Sequence, residues 1–241
     1  MQSAGNPRVK AVAALKEKKF REKYGLFVVE GKKMVSEALA IGADIAEIYA
    51  VEKFRGVFPE EKTVFVSDEV FMKISGEISP EGVLATVKIP KNTPAKATGT
   101  CVFLDGVRDP GNFGTILRTC AACGVKTVYA ADCCDAYNPK VIRATMSGIF
   151  RVTVYEGARE ELLPLLKTVP VIVADMAGEN VFHKKVKEPF CIAVGNEANG
   201  VSEAVKNAAS VTLSLPMEEG VESLNAAVSL SVMLYTLKNQ E

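Results

Sequence analysis

The stretch CVFLDGVRDPGNFGTILRTCAACG, residues 101–124, decides the fold of the larger part of this chain. An apolar run of strand length, 101–104, leads into the turn signal Pro110-Gly111, and the helical spacing of 115–123 then closes on Gly124. Strand, turn and helix in that order form the repeating unit of a parallel α/β sheet. The unit recurs downstream, with strands expected at 127–130, 151–155, 171–174, 190–194 and 211–215 and helices at 140–147, 159–167, 202–208 and 224–237. A mostly parallel sheet with helices on both faces follows.

In such a sheet the carboxyl ends of the strands face one crevice, so loops distant in sequence can line one site. Three glycine-punctuated loops leave apolar strands here: 105–114, 195–200 and 216–225. Their polar residues Asn112, Arg118, Asn196, Glu197, Ser223 and Asn225 are expected to converge. Asn112 is placed near a helix N-cap and Arg118 about one and a half turns on, either as a surface arginine or projecting toward the crevice. Glu197 either caps the helix near 202 or binds in the crevice, and Ser223 is read as a cap of the last helix. None of the loops carries a Walker or G-x-G-x-x-G pattern, which disfavours a ligand anchored by its phosphates.

Ahead of the sheet, 90–99 combines two prolines with small polar residues and reads as a linker, dividing the chain into domains at 1–90 and 100–241. The first domain alternates a helix from Asn6-Pro7 to about 19, strands at 26–29, 45–51, 63–66 and 83–89, and helices at 32–40 and 69–74. Its first 33 residues carry nine basic side chains against three acidic ones, 9 − 3 = +6, although the 29 basic and 29 acidic residues of the whole chain cancel. That stretch is a solvated helix or a polyanion contact. No signal-type start and no membrane-length apolar run occur, so a cytoplasmic protein without membrane association is expected. The six cysteines lie in or beside apolar elements and fit reduced thiols, and Cys120-x-x-Cys123 fits packing inside a helix. With His183 as the single histidine, no metal site is expected.

Asn112-Phe-Gly-Thr-Ile-Leu-Arg118, Gly195-Asn-Glu197 with Gly200, and Leu215-Pro-Met217 with Gly220 and Ser223-Leu-Asn225 resemble, in order and spacing, the three motifs of the SpoU (TrmH) branch of the SPOUT RNA methyltransferases. Residues 8–88, including Phe27-Val-Val-Glu-Gly31, resemble more loosely the ribosomal-protein-like substrate-binding domain carried by many members. The resemblance implies a small α/β substrate-binding domain followed by a parallel α/β domain with a deep trefoil knot. It also implies a homodimer, bound S-adenosylmethionine and methylation of a ribose 2′-hydroxyl in structured RNA.

By resemblance, Arg118, Asn112, Glu197, Ser223 and Asn225 are the catalytic set, and cofactor contacts fall on Gly195, Leu215 and Leu224 with Met217 adjacent. Arginine is an awkward base because its guanidinium stays protonated. Arg118 is therefore expected to orient the nucleotide through its phosphate and stabilise alkoxide charge, with proton acceptance reserved for the assembled site. Arg8, Lys10, Lys19 and Lys33 are expected to dock RNA. Ribosomal RNA is favoured over transfer RNA by analogy with two-domain members. Other readings are a transfer-RNA 2′-O-methyltransferase, a noncatalytic RNA-binding or ribosome-assembly factor that retains the pocket, and a methyltransferase acting on a base or a small molecule.

Overall fold

The computed structural model describes residues 5–221 and 223–239 and divides into two compact units. One comprises 1–91 together with 137–150, the other 92–136 together with 151–241.

In chain order the first unit contains α1 (Pro7–Ala14), α2 (Lys18–Tyr24), β1 (Leu26–Glu30), α3 (Lys32–Ala40), β2 (Ile45–Ala50), β3 (Thr63–Phe65), α4 (Asp68–Ile74) and β4 (Val83–Lys88). Its four strands lie in the order β1-β4-β2-β3, antiparallel except for the β2/β3 pair. Asn6 caps α1 through the Arg8 amide, with Pro7 at the first helical position. The expected single helix to about 19 is instead broken after Ala14. Arg21 causes the break: it is buried, and its guanidinium donates to Leu15 O at 2.7 Å and Lys16 O at 2.9 Å, satisfying carbonyls that a continuous helix would have used internally.

The larger unit contains β5 (Cys101–Asp105), α5 (Pro110–Ala122) and β6 (Thr127–Ala131); α6 (Pro139–Thr145) belongs to the first unit, where Phe27 meets Tyr137 with ring centroids 5.0 Å apart. The larger unit resumes with β7 (Thr153–Gly157), α7 (Arg159–Leu162), β8 (Val171–Asn180), β9 (Cys191–Gly195), α8 (Glu203–Asn207), β10 (Val211–Ser214) and α9 (Ala226–Lys238). The expected helix over 159–167 is shorter, because Pro164 turns its second half into a 3₁₀ segment.

These six strands form one sheet, ordered β10-β8-β9-β5-β6-β7, in which every neighbouring pair is parallel. Every residue of β5 and β9 is buried, the pattern of strands covered on both faces. Phe103, Tyr129, Cys191, Leu162, Leu166 and Val205 belong to the core on one face. Burying each large side chain there stabilises the unit by about 1.5–3 kcal/mol.

Register then places the site. Asp105 pairs with Gly195 on one side and Ala131 on the other, and Ala131 pairs with Gly157, so four strands end level and their loops leave from one edge. β8 departs from this regularity. Val211 and Thr212 of β10 pair with Ile172 and Val173, but Leu213 and Ser214 pair with Glu179 and Asn180. Residues 174–178 lie between these pairings with no ladder partner on either side.

Candidate functional site

The loop after β5 enters α5 earlier than its helical periodicity suggests. Asp109, rather than Asn112, is the N-cap: its carboxylate accepts the Asn112 amide at 2.7 Å, and Pro110 takes the first helical position. Asn112 is thereby set in the first turn with its side chain free to bond elsewhere. At the start of α9 the cap is Asn225, not Ser223; Asn225 Oδ1 accepts from Ala227 N and Val228 N at 3.0 and 3.2 Å.

Those caps fix the direction of a side-chain chain. With Asn225 Oδ1 committed to α9, its Nδ2 donates to Asn112 Oδ1 at 2.7 Å, and Asn112 Nδ2 then donates to Glu197 Oε1 at 2.7 Å. The Asn112 amide thus holds a carboxylate carried on the 195–200 loop, and is itself held by the amide that opens α9. Three segments, the first more than eighty residues of sequence from the other two, meet as their positions at the sheet edge predict.

The 195–200 loop is a tight turn. Asn196 N donates to Gly200 O at 3.0 Å and Gly200 N to Asn196 O at 2.8 Å, while Asn196 Nδ2 reaches Gly106 O at 2.9 Å. A Cβ on Gly195 would lie 2.0 Å from the Gly200 carbonyl, so only glycine permits this closure. Gly178 is in the same position opposite the Thr212-Leu213 backbone, at 2.6 Å.

Beside this turn lies a pocket of about 510 Å³ that Gly195, Glu197, Leu215, Met217, Ser223, Leu224 and Asn225 all line. Its size falls within the ~300–1,000 Å³ range of small-molecule sites. Close-packed glycine backbone, apolar Leu213 and Met233, and polar Ser214, Ser229 and Asp175 suit a flat heterocycle joined to a polar, charged chain. Ala174, Asp175 and Met176 were not expected here. Their signal was Gly178 following an apolar strand, the mark of a close backbone approach.

Arg118 stands apart. It is exposed on α5, is not among the pocket's lining residues and has no hydrogen bond or ion pair among the described residues. Its neighbour Thr119 is instead bonded to Ser231 of α9 at 2.8 Å. In the first unit Arg8 faces Glu47 at 3.6 Å, Lys19 faces Glu17 at 2.9 Å and Lys33 faces Glu37 at 4.0 Å, while Lys10 is exposed. Such surface pairs contribute little and leave these cations open to exchange partners. Cys120 is buried in α5, with burial raising its thiol above the ordinary range, and burial raises the Cys123 thiol as well. No cluster of metal-ligating side chains occurs among the described residues, and no helix there is long and apolar enough to cross a membrane.

This geometry has known counterparts. Residues 99–235 match the SpoU rRNA Methylase family and residues 6–85 the MRM3-like substrate binding domain. The chain is 30% identical to the 23S rRNA (guanosine(2553)-2'-O)-methyltransferase RlmP of Bacillus subtilis, over 99% of this chain and 98% of that one. It is equally 30% identical to an uncharacterized tRNA/rRNA methyltransferase of Synechocystis, over 99% and 93% of the two chains. The crystal structure of an AdoMet-bound rRNA methyltransferase from Sinorhizobium meliloti superposes with a TM-score of 0.89 at 26% identity, covering 99% of this chain and 96% of that one. Glycine-walled turn, amide-held carboxylate and family match agree, and the chain belongs to the SpoU rRNA methylase family.

Proposed function

We propose that this protein methylates a ribose 2′-hydroxyl in ribosomal RNA, using S-adenosylmethionine bound in the pocket beside the Gly195–Gly200 turn. The observation that carries the reading is the bonded series Asn225, Asn112, Glu197 at the rim of that pocket. The RlmP relative, a 2′-O-methyltransferase of 23S rRNA, and the AdoMet-bound structural neighbour support the substrate and the cofactor.

S-adenosylmethionine supplies an electrophilic methyl group when bound. The chain's own residues bind, orient and neutralise. Gly195, Leu215, Met217 and Leu224 line the pocket with backbone and apolar surface, and Asp175 brings a carboxylate suited to a cationic ligand. Asn112 fixes the Glu197 carboxylate, Asn225 fixes Asn112, and Ser223 adds a hydroxyl at the same rim. A neutral 2′-hydroxyl is a poor nucleophile, so its alignment and the loss of its proton set the rate. Arg118, exposed and unpaired among the described residues, is the cation this reading assigns to the nucleotide phosphate and the developing alkoxide.

RNA docking is assigned to the first unit through Arg8, Lys10, Lys19 and Lys33. The reading also includes a homodimer. Val228, Val232 and Tyr235 recur at helical spacing on α9 and are 48%, 37% and 50% exposed, an apolar face suited to a second copy. A threaded, knotted chain is part of it as well, on the strength of the family match. A ribosomal RNA substrate and six free thiols fit the cytoplasm.

The test maps 2′-O-methyl positions in total RNA from cells with and without the protein. One ribosomal position should lose its mark and regain it with the wild-type chain but not with Asn112→Ala. An unchanged map would refute the reading.

A further inference from the structure

A second cavity, of about 780 Å³, opens at the same edge of the sheet. Asp105, Asp132, Arg159 and the segment from Asn199 to Ser202 line it, with Gly106 and Arg108. It shares Asn196 and Gly200 with the pocket described above, so the Gly195–Gly200 turn is the wall common to both.

Its floor is charged but internally matched. The buried Asp105 carboxylate accepts Arg159 Nε at 2.5 Å and Ser202 N at 2.6 Å, and Arg159 Nη2 reaches Asp132 Oδ2 at 3.2 Å. Asp132 holds that position with φ at +54°, a conformation uncommon for a residue other than glycine and frequent at functional sites. Two carboxylates around one guanidinium are a poor welcome for a phosphate.

What remains unsatisfied is neutral or lies at the rim. Ser202 Oγ is buried with no hydrogen-bond partner among the described residues, an unfavourable state that a turn of its side chain toward a ligand in the cavity relieves. Asn199 and Arg108 are exposed on the lining and have no bond among the described residues. A hydroxyl and an amide, each able to donate and accept, match the edge of a heterocycle, and a guanidinium plane stacks on its face.

We propose that this cavity receives the nucleobase of the very nucleotide whose ribose is methylated, taken out of its stack. The inference rests on the methyl-transfer reading above. Attack requires the 2′-oxygen within about 3–3.5 Å of the methyl carbon, and the base is bonded to the neighbouring ribose carbon. A sugar over the shared turn therefore puts its base in the second cavity, and a base still stacked in a helix does not reach it.

The experiment titrates isotopically labelled full-length protein, saturated with S-adenosylhomocysteine, with the four ribonucleoside 5′-monophosphates and, separately, inorganic phosphate. Saturable shifts at the amides of Gly106, Asn199 and Ser202 are expected from at least one nucleotide and not from phosphate. Asn199→Ala and Ser202→Ala should each weaken that binding about fivefold, as loss of a single hydrogen bond does. They should raise the KM for ribosomal RNA similarly while leaving S-adenosylmethionine affinity unchanged. Equal shifts from phosphate alone overturn the nucleobase site in favour of an anion site. No shift, with S-adenosylhomocysteine still bound, overturns it and leaves the methyl-transfer reading standing. Failure to bind S-adenosylhomocysteine sinks both.

Discussion

Replacing Gly195 with alanine isolates the contact on which the cofactor pocket is built. The added Cβ would stand 2.0 Å from both the carbonyl carbon and oxygen of Gly200 and 2.2 Å from Val201 N. Ordinary contact begins near 3.4 Å, so the turn must retreat by 3.4 − 2.0 = 1.4 Å. All three atoms are backbone, and no side chain can swing aside. Retreat breaks the two bonds between Asn196 and Gly200, worth about 1–3 kcal/mol together. Residual overpacking adds about 1–3 kcal/mol. A total loss of about 2–6 kcal/mol lowers the Tm of a domain this size by roughly 5–20 °C. Scanning fluorimetry reads that shift, and calorimetric titration with S-adenosylmethionine should show at least a tenfold loss of affinity, since the same turn walls the pocket. Gly200→Ala is the control. Its Cβ meets nothing within 4 Å, and only the positive φ of +65° opposes it, at a cost of about 1–2 kcal/mol. A Gly195→Ala protein as stable as wild type, binding cofactor equally well, would refute the close-packed turn.

Asn225 separates capping from site geometry: Asn225→Ala should lose about 0.5–2 kcal/mol of stability in urea titrations. Asn225→Asp should retain most of it but lose methylation activity, because the amide donor to Asn112 is gone. Burial pushes the Cys133 thiol up to about 12 and the Cys134 thiol up to about 11. Thiolate is the reactive form, so native protein at pH 8 should resist iodoacetamide at both cysteines, and mass spectrometry should find them alkylated only after denaturation. Val232→Lys, on the exposed face of α9, should convert a dimer to monomer in sedimentation velocity at micromolar concentration while S-adenosylmethionine affinity changes little; an unaltered sedimentation coefficient would count against that face.

The parallel sheet was legible because its strands are buried on both faces and read as unbroken apolar runs, as in Cys101 to Leu104 and Cys191 to Val194. The convergence of Asn112, Glu197 and Asn225 was legible for a related reason: parallel strands in level register send their following loops to one edge. Caps were misplaced by two or three residues, since Asp109 competes with Asn112 and Asn225 with Ser223, and side-chain orientation decides between such neighbours. Arg21 carried no signal at all. In a lysine-rich run it reads as solvated, and its burial depends on the carbonyls left free where α1 stops. The packing of Tyr137 against Phe27 was equally hidden, because no local pattern tells a segment which sheet it will join. Arg118 meets the same limit: the sequence left it between a surface course and one toward the crevice, and the structure shows it exposed on α5.

The excursion of β8 has a dynamic consequence. Residues 174–178 run between two laddered stretches, held by the Asp175 side chain on Ala177 N and the Ser214 hydroxyl on Gly178 O rather than by neighbouring strands. Deuterium should enter that short span quickly while the flanking amides of Val173 and Asn180 stay protonated, a gap in the middle of a strand. Because Ala174, Asp175 and Met176 line the pocket, occupancy should slow the uptake there first, and the span becomes a reporter of whether the site is filled.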